Sequence, residues 1–197
     1  MHFFFDTEFT GLTKTTNLIS IGIMSETGKG FYAIFTDYDI NKCDKWIINN
    51  VISHLDIAED NNITFVKGNK SLIRNKLTNW LKDTRNNEIV QFVSDVCHYD
   101  FVLLIDILAD YALDLPSWIS SYCHDINQDI AKYYNITDFE AFDKNRESIV
   151  KDLIPGIGIN DKNKHNAYYD AEVIQTIYSI INRNTNANTL LNFKNVR

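Results

Sequence analysis

Short apolar runs separated by polar turns dominate the N-terminal part of the chain. They predict strands at residues 2–6, 18–24 and 31–35, with a turn at residues 27–30. Neighbouring parallel strands need a long crossover, and the connections between these runs are short. The first three strands are therefore predicted to form an antiparallel meander.

Apolar residues at helical spacing follow further along the chain. They predict helices at residues 42–55, 71–81, 99–111, 125–134, 138–151 and 166–182. One more apolar run predicts a fourth strand at residues 88–93. A meander followed by alternating strands and helices predicts an α/β fold, in which a mixed sheet of antiparallel and parallel strands is flanked by helices.

The composition is that of an ordinary globular domain. The chain has 197 residues, of which 45% are hydrophobic and 23% charged, and this excludes disorder as the main state. No apolar run is long enough to span a membrane, so no membrane association is expected. The cysteines, Cys43, Cys97 and Cys123, are scattered, which predicts free thiols in a reducing cytoplasm.

The acidic balance narrows the range of partners. A net charge of −7 argues against a protein that holds nucleic acid by broad neutralisation of phosphates. It does not exclude an enzyme whose acidic site recruits metal ions, because bound cations reverse the local charge.

Two carboxylates follow the first predicted strand. Asp6 and Glu8 are two positions apart, and side chains at this spacing on an extended chain point to the same side. Two unpaired carboxylates held close together repel each other, and a divalent cation relieves that repulsion. The alternative is a pair of solvated acids in a loop, but the position at the end of a buried strand favours a metal site.

A second candidate opens the last predicted helix. His165 precedes this helix and Asp170 lies in its first turns, so both can face the same edge of a cleft. Histidine is the natural general base near neutral pH, and aspartate is a hard oxygen ligand for magnesium or manganese. Taken alone, the pair is better explained as a loop histidine and a surface aspartate.

The same spacing occurs a second time, at His124 and Asp129. This repetition shows that the spacing by itself carries little information. We favour His165 and Asp170 because they open the long final helix. The structural interpretation of the other segment is a helix start, with Asp125 as its cap or first-turn acid.

A further acid lies between these motifs. The predicted strand at residues 88–93 leads through a short loop into a helix, and Asp100 is placed at the start of that helix. Asp95 is the competing candidate in the same loop. The structural alternatives are a first-turn acid for Asp100 and a cap for Asp95.

Three motifs in this order resemble those of the DEDDh family of 3′–5′ exonucleases, which have a ribonuclease H-like fold. They are Asp6-Thr7-Glu8, Tyr99-Asp100-Phe101 and His-Asn-Ala-Tyr-Tyr-Asp-Ala at residues 165–171. Outside the motifs, residues 17–22 and 31–33 are most similar to the small mycobacterial-type 3′–5′ exoribonucleases. Ribonuclease T, oligoribonuclease and the proofreading exonucleases are more distant.

The resemblance implies a set of catalytic residues and a cofactor. Asp6, Glu8, Asp100 and Asp170 would hold two Mg²⁺ or Mn²⁺ ions, with Asp6 bridging both. His165 would take a proton from the water that attacks the terminal phosphodiester, and the product would be a nucleoside 5′-monophosphate.

The resemblance also implies a pocket for the 3′-terminal nucleotide. Thr7, Phe9 and Leu12 are the candidate substrate-binding residues, since they adjoin the proposed metal ligands. Many relatives have a small or polar residue at position 9, so Phe9 is a departure that bears on the shape of the pocket. Core packing is the structural alternative for Phe9 and Leu12.

The expected partner is RNA, single-stranded or with a 3′ overhang. A 3′–5′ exodeoxyribonuclease is the nearest alternative, and a non-catalytic nucleic-acid-binding module on the same fold is another. The exonuclease domain is expected to cover residues 1–184 and to be followed by a tail at 185–197. The resemblance also implies a homodimer, because relatives of this size are often dimers.

Overall fold

The computed structural model describes residues 1–57, 60–159 and 163–182. Within them, a six-stranded sheet has the strand order β4-β3-β2-β1-β5-β6. Its strands are β1 (His2–Phe9), β2 (Leu18–Ser25), β3 (Gly30–Phe35), β4 (Ile63–Gly68), β5 (Val90–Ser94) and β6 (Ile119–Asp125).

Helices follow the meander and cover both faces of the sheet. The α-helices of the described residues are α1 (Lys45–Asn50), α2 (Lys70–Thr84), α3 (Cys97–Leu108), α4 (Ile126–Tyr134), α5 (Asp138–Asp143), α6 (Arg146–Leu153) and α7 (Ala167–Ile181). Short 3₁₀ turns lie at Ile40–Lys42, Ile52–His54 and Ala112–Asp114. None of the helices in this part of the chain has the length and apolar character needed to cross a bilayer.

The pairing of the strands confirms the predicted mixed sheet. β1 pairs with β2, and β2 with β3, in antiparallel fashion. β1 also pairs with β5 in parallel, as β5 does with β6 and β3 with β4. This arrangement of a meander and parallel strands, flanked by helices, is consistent with a ribonuclease H-like fold.

The two faces of β1 build two separate cores. Phe3 and Phe5 pack against residues of α2 and α3, while Phe4 packs against residues of α4, α6 and α7. The alternation of the strand therefore also places Asp6 and Glu8 on the face of Phe4. These two acids thus leave the sheet on the side covered by α7.

Two edge strands were missing from the sequence-based prediction. β4 and β6 lie at opposite ends of the sheet, and each has several exposed side chains. Because an edge strand is only partly buried, its sequence mixes polar and apolar residues. In β4, for example, Phe65 lies between Thr64 and the nearby Lys67. The apolar pattern used to predict strands was too weak in both segments.

The predicted helix at residues 42–55 was wrong in its extent. α1 is short, and its first turn is capped by Asp44, whose carboxylate accepts from the Ile47 amide. Beyond α1, the Ser53 hydroxyl donates to the Asn49 carbonyl and the His54 ring lies 2.8 Å from the Asn50 carbonyl. These local side-chain bonds take carbonyls that a continuing helix would use.

The predicted helix at residues 138–151 is two helices, α5 and α6. The Asn145 side chain caps α6 by accepting from the Ser148 amide. The Arg146 guanidinium donates to the carbonyls of Ala141 and Lys144, both at 2.9 Å, and so satisfies the end of α5. The break places Arg146 beside the candidate site.

Close packing of α7 on the sheet depends on Gly22. A Cβ atom there would lie 2.3 Å from the backbone of Ala167 and 2.3 Å from Cα of Tyr168. Gly22 is also the partner of Asp6 in the β1–β2 register. The glycine therefore lets the start of α7 approach the strand position that carries Asp6.

Candidate active site

A cavity of about 750 Å³ opens where β1 and β5 end. The end of β1, the loop after β5, the start of α6 and the start of α7 all contribute side chains to its wall. The carboxylates that line the cavity are Asp6, Glu8, Asp44, Asp95, Asp100, Asp143, Glu147 and Asp170.

Two groups of potential metal ligands lie inside this cavity. One ligand atom from each of Glu8, His165 and Asp170 lies within 4.8 Å of the other two. The same holds for the carboxylates of Asp6, Asp95 and Asp100. The structure thus brings together all five predicted catalytic residues, and Asp95, the competing candidate, lies with Asp100.

Asp100 is held in place by two hydroxyl groups. The Thr7 hydroxyl donates to Oδ1 at 2.6 Å and the Ser94 hydroxyl donates to Oδ2 at 3.0 Å. Burial raises the pKa of Asp100 to about 7, and these two hydrogen bonds oppose the rise. Thr7 is predicted to bind substrate. In the structure its hydroxyl instead contacts Asp100, a candidate metal ligand.

The remaining acids repel one another in a desolvated space. Burial is the largest cause that raises the pKa of Asp6 well above its ordinary value, followed by the charges of Asp100 and Asp170. Burial also raises the pKa values of Glu8 and Asp170 well above normal. Carboxylates that are crowded and buried in this way favour either protons or cations as counter-charges.

His165 adopts a left-handed backbone conformation with φ of 65°. Its backbone amide donates to Oδ2 of Asp170 at 3.1 Å, and its ring meets Trp46 edge-on at 4.9 Å between centroids. Burial lowers the pKa of His165, and the nearby charge of Lys164 acts in the same direction. A neutral imidazole at the cavity wall is suited to accept a proton.

The second histidine–aspartate pair lies elsewhere and is already satisfied. The His124 ring and the Asp129 carboxylate bond directly to each other, and neither residue lines the cavity. Asp125 caps α4 by accepting from the Asn127 amide, which confirms its predicted role as a helix cap.

Phe9 and Leu12 both line the cavity beside Glu8. Leu12 is 67% exposed, so the alternative of core packing is wrong for this residue. Phe9 is partly buried. Both remain candidates for contact with substrate.

Sequence reasoning missed Trp46, Arg146 and Glu147, which also line the cavity. The helix predicted at residues 42–55 includes Trp46, yet α1 is short and the residue is 53% exposed. Arg146 and Glu147 were placed inside a continuous helix. A break signal at Asn145, a good helix cap, is the feature that could have revealed them.

Comparison with known proteins gives the family. A family model described as the 3′–5′ exoribonuclease Rv2179c-like domain matches residues 1–182. The chain belongs to this family. This membership confirms the predicted resemblance to the small mycobacterial-type 3′–5′ exoribonucleases.

Two curated members are similar over a limited segment. They are 3′–5′ exoribonuclease Rv2179c of Mycobacterium tuberculosis strain ATCC 25618 / H37Rv and 3′–5′ exoribonuclease MT2234.1 of Mycobacterium tuberculosis strain CDC 1551 / Oshkosh. Each is 38% identical to this chain over 55 residues. The match covers 28% of this chain and 33%, about a third, of each relative.

Proposed function

We propose that this protein is a metal-dependent 3′–5′ exoribonuclease that releases nucleoside 5′-monophosphates from the 3′ end of RNA. The observation that carries the proposal is the convergence of Asp6, Glu8, Asp100, His165 and Asp170 on one cavity. These residues come from distant parts of the sequence. Membership of an exoribonuclease family supports a catalytic role for the group that they form.

The residues of the cavity fit a pair of divalent cations. Carboxylate oxygens are the ligands that Mg²⁺ and Mn²⁺ prefer. Glu147 supports the same conclusion, since it is only 3% exposed and its Oε2 atom has no hydrogen-bond partner among the described residues. Asp6, Glu8, Asp100 and Asp170 would hold the ions.

Two divalent ions in such a site supply activation of a water molecule and stabilisation of charge on the leaving 3′ oxygen. The chain itself orients the reactants and moves the proton. A ring nitrogen of His165 accepts the proton of the attacking water, and the contact with Trp46 helps to fix the imidazole at the cavity wall. Thr7 and Ser94 hold Asp100 in a single orientation through its two oxygens.

The mouth of the cavity is suited to unpaired nucleotides. Phe9, Leu12 and Trp46 line it, and their side chains offer apolar surfaces on which bases can stack or against which they can be wedged. The net charge of −7 disfavours tight binding along a long backbone, so short or weakly held single strands are the proposed substrates. A cytoplasmic location and a homodimer belong to the same proposal.

The test is digestion of matched RNA and DNA oligonucleotides carrying a 5′ label, with Mg²⁺ or Mn²⁺ and with a chelator as control. We expect a ladder shortened from the 3′ end of RNA, mononucleotide products, and loss of activity with the chelator. A 3′-phosphate should block the reaction, and a blocked 5′ end should not.

Each other result identifies a different activity. Faster digestion of DNA than of RNA would favour an exodeoxyribonuclease. Cleavage of circular single strands would contradict an exonuclease. Binding of RNA without any cleavage would favour a non-catalytic module.

A further inference from the structure

Arg146 connects several segments around the cavity through one guanidinium group. Nε donates to Oδ2 of Asp95 at 2.9 Å, and Nη2 donates to Oδ1 of Asn127 at 2.6 Å. Nη1 reaches the backbone carbonyls that end α5. The arginine is therefore fixed by the fold and is not a mobile surface cation.

Asp95 is fixed at its backbone as well as at its side chain. The Asn127 amide donates to the Asp95 carbonyl at 2.6 Å, and the same Asn127 accepts from Arg146. Both members of the Asp95–Arg146 pair are largely buried, at 16% and 14% side-chain exposure. This arrangement holds the Asp95 carboxylate in one place on the cavity wall.

Within the described part of the chain, hydrogen bonding leaves part of the Asp95 carboxylate available. The recorded contact with Arg146 is a single bond to Oδ2, because the other arms of the guanidinium are turned to Asn127 and to backbone carbonyls. A carboxylate has several acceptor positions, so Asp95 can bind a second partner while it stays paired. One of its oxygens lies within 4.8 Å of ligand oxygens of Asp6 and Asp100.

The excess of negative charge in the cavity also favours binding of cations near Asp95. Of the residues that the structure describes, eight carboxylates line the cavity, against the three cations of Lys144, Arg146 and Lys164. Asp6 is crowded by Asp100, Asp170, Glu8 and Asp95. Glu147, adjacent to Arg146 in sequence, has a buried oxygen without a hydrogen-bond partner among the described residues. The charge of Glu147 acts on Asp170, so this oxygen is a separate sign that the cavity needs cations and does not belong to the Asp6–Asp95–Asp100 group.

We infer that Asp95, positioned by Arg146, is a fifth carboxylate for divalent-cation binding, and that it acts on the ion held by Asp6 and Asp100. The inference rests on the proposed function for the existence of that ion. Asp95 can contribute directly or through a water molecule of the ion. Arg146 is a positioning residue, because it acts through Asp95.

The experiment is a calorimetric titration of Mn²⁺ into the full chain without any RNA, so that its readout is independent of catalysis. Asp95→Asn keeps an oxygen that can accept from Arg146 but removes the charge. We expect this change to weaken the binding of one Mn²⁺ by about 10–100-fold, as losses around a metal site commonly do.

The matched control is Asp110→Asn. Asp110 also pairs with an arginine, through Nη2 of Arg74 at 2.8 Å, but it lies at the surface and outside the cavity. Its Mn²⁺ isotherm should equal that of the wild type. Thermal unfolding without metal checks that each variant is folded.

A folded Asp95→Asn variant with a wild-type Mn²⁺ isotherm would overturn the inference. If that variant does not fold, Arg146→Lys is used in its place. A lysine cannot make all the contacts of the guanidinium, so this change should also weaken Mn²⁺ binding. An unchanged isotherm there would be equally contradictory. If Mn²⁺ binding depends on Asp95 but the protein has no nuclease activity, the proposed function is refuted and the inference about Asp95 stands.

Discussion

Two segments of this chain place an aspartate five residues after a histidine, and the fold treats them differently. At His124 and Asp129 the two side chains bond to each other, and this hydrogen bond raises the pKa of His124. At His165 and Asp170 the recorded bond comes from the histidine backbone amide, and burial lowers the pKa of the ring. One imidazole is occupied by its own aspartate, and the other faces a cavity.

The difference originates in the backbone that precedes each helix. His124 lies on β6, an extended strand that leads through Asp125 into α4. His165 has a positive φ, and this conformation directs its amide to Asp170 while the ring packs against Trp46. Equal spacing in sequence therefore does not indicate equal function. The local backbone conformation determines which histidine ring faces the cavity.

The largest contrast is expected between the two aspartates. Asp170→Asn should abolish release of nucleoside 5′-monophosphates from RNA, because a neutral amide cannot replace a charged ligand in the metal site. Asp129→Asn should retain activity, since its carboxylate bonds to His124 and lies outside the cavity. Both rates are measured on the same RNA at saturating Mg²⁺. An active Asp170→Asn with an inactive Asp129→Asn would reverse the comparison.

The histidines should differ by a smaller factor. His165→Ala is expected to lower the rate by about 10²–10⁴-fold, the usual contribution of a positioned proton acceptor. Metal binding should survive, because the carboxylates remain, and this is checked by Mn²⁺ titration. His124→Ala should change the rate little, and any loss should follow the stability of the fold. Equal rates for the two variants would contradict the assigned role.

The approach of α7 to the sheet can be tested at Gly22. Gly22→Ala forces a methyl group into the backbone of Ala167 and should reduce the free energy of unfolding by about 1–3 kcal/mol, the usual cost of overpacking. It should also lower activity, because it displaces the helix that carries Asp170. Gly158→Ala is the control, since a Cβ there meets nothing within 4 Å. Urea unfolding curves that coincide with the wild type would show that α7 is not packed this closely.

The smallest expected effect is a pH dependence of stability at His124. The folded pKa is raised by Asp129, and Asp125 adds to the rise, while partial burial opposes it. The pair therefore stabilises the fold fully below the unfolded pKa of about 6.5, and this contribution is lost as the pH rises through the folded pKa. His124→Gln should destabilise more at pH 5.5 than at pH 8.5 in urea unfolding. A difference that grows with pH would contradict the pairing.

The sequence was sufficient for the parts of the fold that rest on strong patterns. Short apolar runs located the buried strands β1, β2, β3 and β5, and the short connections between the first three predicted their antiparallel order. The edge strands were missed because partial burial dilutes their apolar pattern. The predicted tail at residues 185–197 lies outside the described residues.

The residues of the candidate site that lie in short sequence motifs could be predicted. Asp6 and Glu8 share a face because of strand periodicity, and this required no tertiary information. The place of Asp95 could not be derived in the same way, because it depends on a contact with Arg146, 51 residues away. That contact in turn depends on the break between α5 and α6, which helical periodicity alone did not indicate.

The most direct test of the account is the release of nucleoside 5′-monophosphates from a single-stranded RNA with a free 3′ hydroxyl, measured for the wild type and for Asp6→Asn in the presence of Mg²⁺. Asp6 groups with Asp95 and Asp100, and the charges of Asp170 and Glu8 act on it as well. The account predicts rapid release by the wild type and none by Asp6→Asn, which should remain folded because a repelling charge has been removed. Full activity of folded Asp6→Asn would contradict the metal-dependent mechanism.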